Sequence, residues 1–172
     1  MDPVRPRIAI RYSVTPLQTY CDDRLAMIGA DELTIVPGDG ADAEWCARVM
    51  ASTDPWITLG RNFEDCLVRC RRPELILLTA RRSGELCGFV LLHPTGLAGS
   101  PYIASIATAE EVRGLGVGAE LLRAAETWFP GARHIFLCVS SFNTRARQLY
   151  ERCGYAAVGE LPGSSSRTHQ KS

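Results

Sequence analysis

No stretch of the 172-residue chain approaches the ~18 consecutive apolar residues of a membrane-spanning helix, so no membrane partner is expected. The opening residues, MDPVRPRIAIRYSV, have neither the apolar core nor the small-residue cleavage site of a secretory signal, which makes a cytoplasmic location the default expectation. Excess charge of one sign is missing as well. Nineteen Lys and Arg balance nineteen Asp and Glu, giving a formal net charge of +0. Such a chain has no bulk field for nucleic acid or an anionic membrane, and no nucleic-acid partner is expected. A disulfide framework is also lacking. The seven cysteines (Cys21, Cys46, Cys66, Cys70, Cys87, Cys138 and Cys153) are odd in number and irregular in spacing, as reduced structural thiols would be. Cys66 and Cys70 share a helix face, but a metal centre needs further ligands at comparable spacing. His93 and His134 supply none, so no metal is expected.

What is present suits a single domain with a substantial core: 46% of residues are hydrophobic. The stretch from Tyr102 to Gly118, YIASIATAEEVRGLGVG, organises the rest. It reads as strand, glycine-rich turn and helix. Gly114, Gly116 and Gly118 free the backbone to approach a ligand and to aim successive N–H groups at it. With the open N–H groups and partial positive charge of the helix start, residues Arg113, Gly114, Leu115, Gly116, Val117 and Gly118 form an anion cradle suited to phosphate. A dinucleotide turn would want an acid about 20 residues on, where residues 134–138 read His-Ile-Phe-Leu-Cys. A P-loop would end in Gly-Lys-Ser/Thr, and this turn has no lysine. A loop that merely turns a corner leaves Arg113 and the spacing of Gly116 and Gly118 unexplained.

Along the chain, residues 1–30 are interrupted by Pro3, Pro6 and Pro16 and are set apart as an N-terminal extension. Ile8-Ala9-Ile10 could pair as a short strand, and the residues before Met27 are expected to be dispensable for folding. A strand over Leu33–Val36 precedes a helix, capped by Asp42 or the residue before it, that runs to about Ala51. Trp56 lies beside Pro55 in the next loop, either plugging the core or facing a ligand. A second helix starts near Asn62 and stops before Pro73. Leu75–Ala80 and Leu86–His93 are nearly continuous apolar runs, as central strands covered on both faces would be, and Gly96, Gly99, Ser100 and Pro101 make a loose loop. The helix from Gly116 to Phe129 turns Val117, Leu121, Ala125 and Trp128 inward and Glu120, Arg123, Glu126 and Thr127 outward. A strand over His134–Val139 leads to a helix opened by Asn143, with Ala146, Leu149, Tyr150 and Cys153 inward. A last strand runs from Tyr155 to about Leu161, and the polar tail 163–172 is expected to be disordered.

Two stretches resemble one family. Arg113-x-x-Gly116-x-Gly118 is similar to the R/Q-x-x-G-x-G/A signature of the GNAT superfamily of acyl-CoA-dependent N-acyltransferases. Asn143-x-x-Ala146-x-x-Leu149-Tyr150-x-x-x-Gly154-Tyr155 resembles its closing helix and turn. The resemblance implies an α/β (α+β GNAT-like) domain over residues 31–162. Its single central sheet would be mixed and mostly antiparallel, with about six to seven strands flanked by about four helices. The fourth strand, from Tyr102, and the fifth, from His134, would splay apart, often with a bulge in the fourth.

The resemblance also implies acetyl-CoA as cosubstrate. Residues 113–118 would hold its diphosphate, with Arg113 adding charge. Ile106, Ala107 and Thr108 would pair its pantetheine arm like an extra strand, and an N–H near Ala107 would stabilise the oxyanion. Asn143 would orient the coenzyme or cap its helix. Tyr150 would protonate the departing thiolate, a phenol of pKa about 10 serving a thiol of about 8.5. Trp56 and Tyr102 would line the acceptor site. Many relatives carry a glutamate early on the fourth strand, but Tyr102, Ile103, Ala104 and Ser105 offer no carboxylate here. Either a water chain to Tyr102, Ser105 or His93 deprotonates the amine, or the acceptor is a less basic amine. Glu110 and Glu111 lie too near the phosphates to serve. The expected function is acetyl transfer to an amine of a small molecule or peptide, with a homodimer left open. The alternative is a non-catalytic acyl-CoA-binding module.

Overall fold

The computed structural model describes residues 6–12 and 33–160. The expectations for Cys21, Met27 and the tail 163–172 lie outside the described residues. In chain order the elements are β1 (Pro6–Tyr12), β2 (Leu33–Pro37), α1 (Gly40–Ala51), α2 (Phe63–Cys70), β3 (Ile76–Arg82), β4 (Glu85–Leu97) and β5 (Ser100–Thr108). A 3-10 turn (Glu110–Val112), α3 (Val117–Trp128), β6 (His134–Ser140), α4 (Thr144–Arg152) and β7 (Ala156–Glu160) follow. One seven-stranded sheet runs β2-β3-β4-β5-β6-β1-β7. Every pairing is antiparallel except β5 with β6. The mixed, mostly antiparallel sheet and its four α-helices match the expectation.

Alternating side chains feed two cores. Leu78, Val90, Leu92, Ile103 and Leu137 pack on one face against Val117, Leu121, Leu122, Ala125 and Tyr150 of α3 and α4. Leu77, Phe89 and Leu91 pack on the other against Ala43, Cys46, Ala47, Met50, Cys66 and Cys70 of α1 and α2. Helices on both faces explain why β3 and β4 read as unbroken apolar runs.

Local chemistry sets the helix starts. Asp39, not Asp42, caps α1, accepting from the N–H groups of Ala41 and Asp42 at 2.8 and 2.9 Å. Asp42 closes the capping box, its Oδ2 accepting from the Asp39 N–H at 3.3 Å, and turns inward, where Arg81 Nη2 donates to its Oδ1 at 2.6 Å. Asn62 caps α2 as expected, accepting from Asp65 N–H at 2.9 Å. The loose loop expected before β5 is instead a tight hairpin. β4 continues to Leu97, and Ala98 and Gly99 turn with φ of 50° and 73°, the positive-φ pair that matches strand twist. Pro94 falls where the β4–β5 register slips between His93 and Leu97.

The larger departure is at the N-terminus. Each residue of β1 has a partner on β6, and its other edge pairs with β7. Residue 31 is therefore no boundary of the sheet. Pro6 is tolerated because it is the first residue of the strand, and Ala9 and Ile10 are buried. β1 also changes the facing of α3. Glu126 points inward, with Arg11 Nε 3.3 Å from its Oε1 and the Tyr155 hydroxyl donating to the same oxygen at 3.3 Å. Trp128, expected inside, is 42% exposed. Arg11 donates as well to the Cys153 carbonyl at the end of α4.

Candidate active site

β5 and β6 pair only at Tyr102–Phe136 and Ile103–Leu137. Beyond that point β5 keeps β4 alone as a partner and its other edge opens. A bulge marks the parting: Leu91 lies opposite Ser105 and Leu92 opposite Ile103, leaving Ala104 as the extra residue. The bulge is held from α2. Arg69 donates from Nη2 to the Ala104 carbonyl at 2.6 Å and from Nε to Ser105 Oγ at 2.9 Å.

The phase of the ladder decides which backbone groups face the opening. Ala109 N–H donates to the Cys87 carbonyl at 2.9 Å. Stepping back by two along an antiparallel pair, Ala107 exchanges bonds with Phe89 and Ser105 with Leu91, while Ile106 and Thr108 turn their N–H and C=O groups the other way. Of the residues expected to pair a pantetheine arm, Ile106 and Thr108 face the open edge. The N–H of Ala107 is committed to β4, which takes it out of the expected oxyanion role.

After β5 the chain coils through the 3-10 turn, with Arg113 N–H donating to Glu110 O at 3.1 Å and Leu115 N–H to Val112 O at 3.2 Å. Gly114 and Gly116 have φ of 85° and 86°, a conformation that strains any other residue. Gly116 is the N-cap of α3 and offers no side chain to cap it. Among the described residues, the N–H groups of Gly114, Gly116, Val117 and Gly118 meet no backbone acceptor. These open donors, at the positive end of a twelve-residue helix, are what an anion would find. Gly118 has a second reason to be glycine: a Cβ there would stand 2.9 Å from Leu149 Cδ2, so it lets α3 approach α4. Arg113 Nη1 lies 3.6 Å from Oε1 of the exposed Glu110, a pairing too weak to hold it from a stronger anion. The Leu115 side chain is exposed.

At the parting of the strands, Tyr102 of β5 lies beside Cys138 of β6. Burial, then the neighbouring Cys138 thiol, push the Tyr102 phenol above its ordinary pKa, and the Arg69 charge opposes the shift. Tyr150 acts electrostatically on Tyr102 from α4. Its ring is buried, 6.1 Å from that of Tyr155, and burial followed by Cys153 raises its pKa too. Both phenols hold their protons through neutral pH, so neither is available there as a base.

The remaining expected residues fall as follows. Asn143 Oδ1 accepts from Ala146 N–H at 3.1 Å, which caps the helix carrying Tyr150. His93 stands opposite Tyr102 in the ladder, its Nδ1 accepting from Thr95 N–H at 3.2 Å. Ser105 Oγ is held between Arg69 and the Ala104 carbonyl, the latter at 2.7 Å. Trp56 is half-buried and packs on the α1–α2 cluster that also includes Ala104 and Ala107. Cys66 and Cys70 are buried, with Cys70 Sγ 3.8 Å from Met50 Sδ. Burial lifts the Cys70 thiol to about 11, as in an unreactive structural cysteine. Arg69 is the residue that sequence reasoning missed. Its signal was its spacing from Cys66 and beside Cys70, which puts it on the inner edge of α2.

The Acetyltransferase (GNAT) family model matches residues 41–155. The chain belongs to this family. It is 33% identical over 86 residues to a 5-NmdU N-acetyltransferase of Pseudomonas phage PaMx11, covering 49% of this chain and 59% of that protein. It is 34% identical over 93 residues to the uncharacterized N-acetyltransferase YhfO of Bacillus subtilis, covering 51% and 62%. The chain thus spans about three fifths of the length of these relatives. Among solved structures, the aminoglycoside N-acetyltransferase AAC(6')-Iy in complex with CoA superposes with a TM-score of 0.65 at 16% identity, covering 80% of this chain and 97% of that one. That likeness is one of fold. The strands of this GNAT chain expected to splay are β5 and β6, displaced by one in the count because β1 precedes them. No helix among the described residues is long and apolar enough to cross a membrane.

Proposed function

We propose that this GNAT chain is an N-acetyltransferase that moves an acetyl group from acetyl-CoA to an amine of a small molecule or peptide. The observation that carries the proposal is the uncapped start of α3, with its open N–H groups, following directly on the strand whose edge opens beyond Ile103. The N–H groups of Gly114, Gly116, Val117 and Gly118 take the diphosphate, and Arg113 adds a guanidinium. The backbone of Ile106 and Thr108 receives the amides of the pantetheine arm as an added strand. Bound there, the coenzyme supplies an acyl group activated as a thioester. Asn143 fixes the start of α4, and Tyr150 on that helix donates the proton the thiolate needs as it leaves. An alkyl amine of pKa about 10.4 must reach the site neutral. Neither phenol removes that proton, which leaves solvent water, or a water chain to Ser105 or His93, to take it.

Calorimetry with CoA and thiol release from acetyl-CoA across an amine panel test the proposal. Wild type and Tyr150→Phe should bind CoA alike, with turnover lower by about 10²-fold in the variant. Unchanged turnover removes Tyr150 from the mechanism. Absence of CoA binding ends the proposal, and tight binding without turnover of any amine favours the binding module.

A further inference from the structure

Arg69 is a partly buried cation without a counter-ion among the described residues. Its two hydrogen bonds go to neutral oxygens, the Ala104 carbonyl and Ser105 Oγ. The other arginines that reach inward are paired: Arg81 with Asp42 at 2.6 Å and Arg11 with Glu126 at 3.3 Å. The acids nearest Arg69 in sequence are turned elsewhere. Asp65, at salt-bridge spacing on the same helix, accepts from the Asn62 N–H at 3.3 Å. Glu74 pairs with Arg72 at 3.5 Å. Arg61 and Arg72 add positive potential at Arg69, and burial weighs against its charge more than any neighbour does. A guanidinium does not escape by losing its proton, so a desolvated cation without an anion is left at a cost.

Its location says which anion. Arg69 grips the bulge residue at the point where β5 leaves β6, on the sheet face covered by α1 and α2, and its field reaches Tyr102. After both bonds the Nη1 amino group has no acceptor among the described residues. The planar fork fits a carboxylate. We propose that Arg69 makes this enzyme select an acceptor amine that also carries a carboxylate, which docks on the free side of the guanidinium. The proposal rests on the acetyl-transfer reading above. It accounts for the missing glutamate on β5, because a carboxylate of the protein at Ala104 or Ser105 would pair with Arg69 and occupy the place of the acceptor's own. It also sets this site against polycationic acceptors, which Arg61, Arg69 and Arg72 together would repel.

The test is thiol release from acetyl-CoA by the full chain with matched pairs: α-, β- and γ-amino acids against their primary amides, with rates corrected for the neutral fraction of each amine. The acid member of at least one series should have kcat/KM about ten-fold above its amide. Arg69→Gln should bring that pair to near parity, read as the acid-to-amide ratio so that any change in CoA affinity common to both members cancels. Ser105→Ala, which removes one bond to Arg69 and keeps the charge, should retain the preference. Parity or amide preference in every wild-type pair overturns the proposal, as does a preference that survives Arg69→Gln. So does absence of turnover in every pair while CoA still binds. Loss of CoA binding by the wild type would instead count against the coenzyme site. Should Arg69→Gln fail to fold, the wild-type pairs and Ser105→Ala decide.

Discussion

Replacing Arg11 by methionine keeps the aliphatic stem and removes the charge that ties β1 to two helices. The guanidinium lies 3.3 Å from Glu126 Oε1 and also donates to the Cys153 carbonyl, and the two side chains of the pair are 13% and 21% exposed. Breaking a fully buried pair costs about 3–5 kcal/mol, and an exposed one contributes about 0–1 kcal/mol. This pair keeps some contact with water, so we expect a loss of about 2–3 kcal/mol, or about 5–10 °C in Tm for a domain of this size. The pH dependence has a definite sign. Burial already raises the Glu126 carboxyl above its ordinary pKa, against the pull of Arg11. An acid whose folded pKa exceeds its unfolded one loses stability as pH rises from the unfolded value through the folded one. Without Arg11 the folded value climbs further, so the deficit of Arg11→Met should be larger at neutral pH than near about pH 5. Adding Glu126→Gln should recover part of it. Thermal melts at the two pH values decide: a Tm within about 2 °C of wild type at neutral pH, or an equal deficit at both, refutes the reasoning.

Gly116→Val forces a β-branched residue to φ of 86°. It should cost about 1–2 kcal/mol and weaken CoA binding about ten-fold or more by re-aiming the first N–H groups of α3; unchanged calorimetric affinity would contradict the cradle. Truncation to Met27 strips β1 from between β6 and β7 and should abolish the cooperative thermal transition, so a truncated chain melting like wild type would show that β1 is dispensable. Because burial raises the Tyr150 phenol above its ordinary pKa, the rate–pH profile should carry no alkaline limb near about 10. A limb there that vanishes in Tyr150→Phe would refute that assignment.

Elements that carry their own local signals were legible in the sequence: Asn62 and Asn143 as caps, the glycine turn, and the apolar runs of β3 and β4. What stayed hidden depends on partners distant in sequence. β1 looks optional because three prolines interrupt residues 1–30, and nothing local says that β6 and β7 leave a gap of its width. Glu126 reads as an outward residue until Arg11 arrives opposite it. Arg69 passed unnoticed in the sequence, since the carbonyl it binds is exposed by a bulge thirty-five positions away. Ala107 was expected on the open edge together with Ile106 and Thr108 because the resemblance points to a stretch of strand, and the ladder phase that sorts alternate residues does not show in a sequence.

These hidden contacts bear on the chemistry as much as on the fold. Tyr150 has its place because α4 is fixed at both ends, by Asn143 at the start and by Arg11 on the Cys153 carbonyl at the finish. The second tether comes from β1, so the strand that read as an extension positions the proposed acid. Arg69 does the same for the opposite wall, holding the bulge that turns Ile106 and Thr108 to the open edge. A weakened Arg11 tether should therefore lower turnover before it lowers CoA affinity, because the proposed phosphate donors sit at the start of α3, the end away from Glu126. Arg11→Met assayed below its own melting range separates the two. A fall in kcat at unchanged CoA affinity is the expected result. Loss of CoA affinity with kcat intact would mean that β1 supports the cradle rather than the acid.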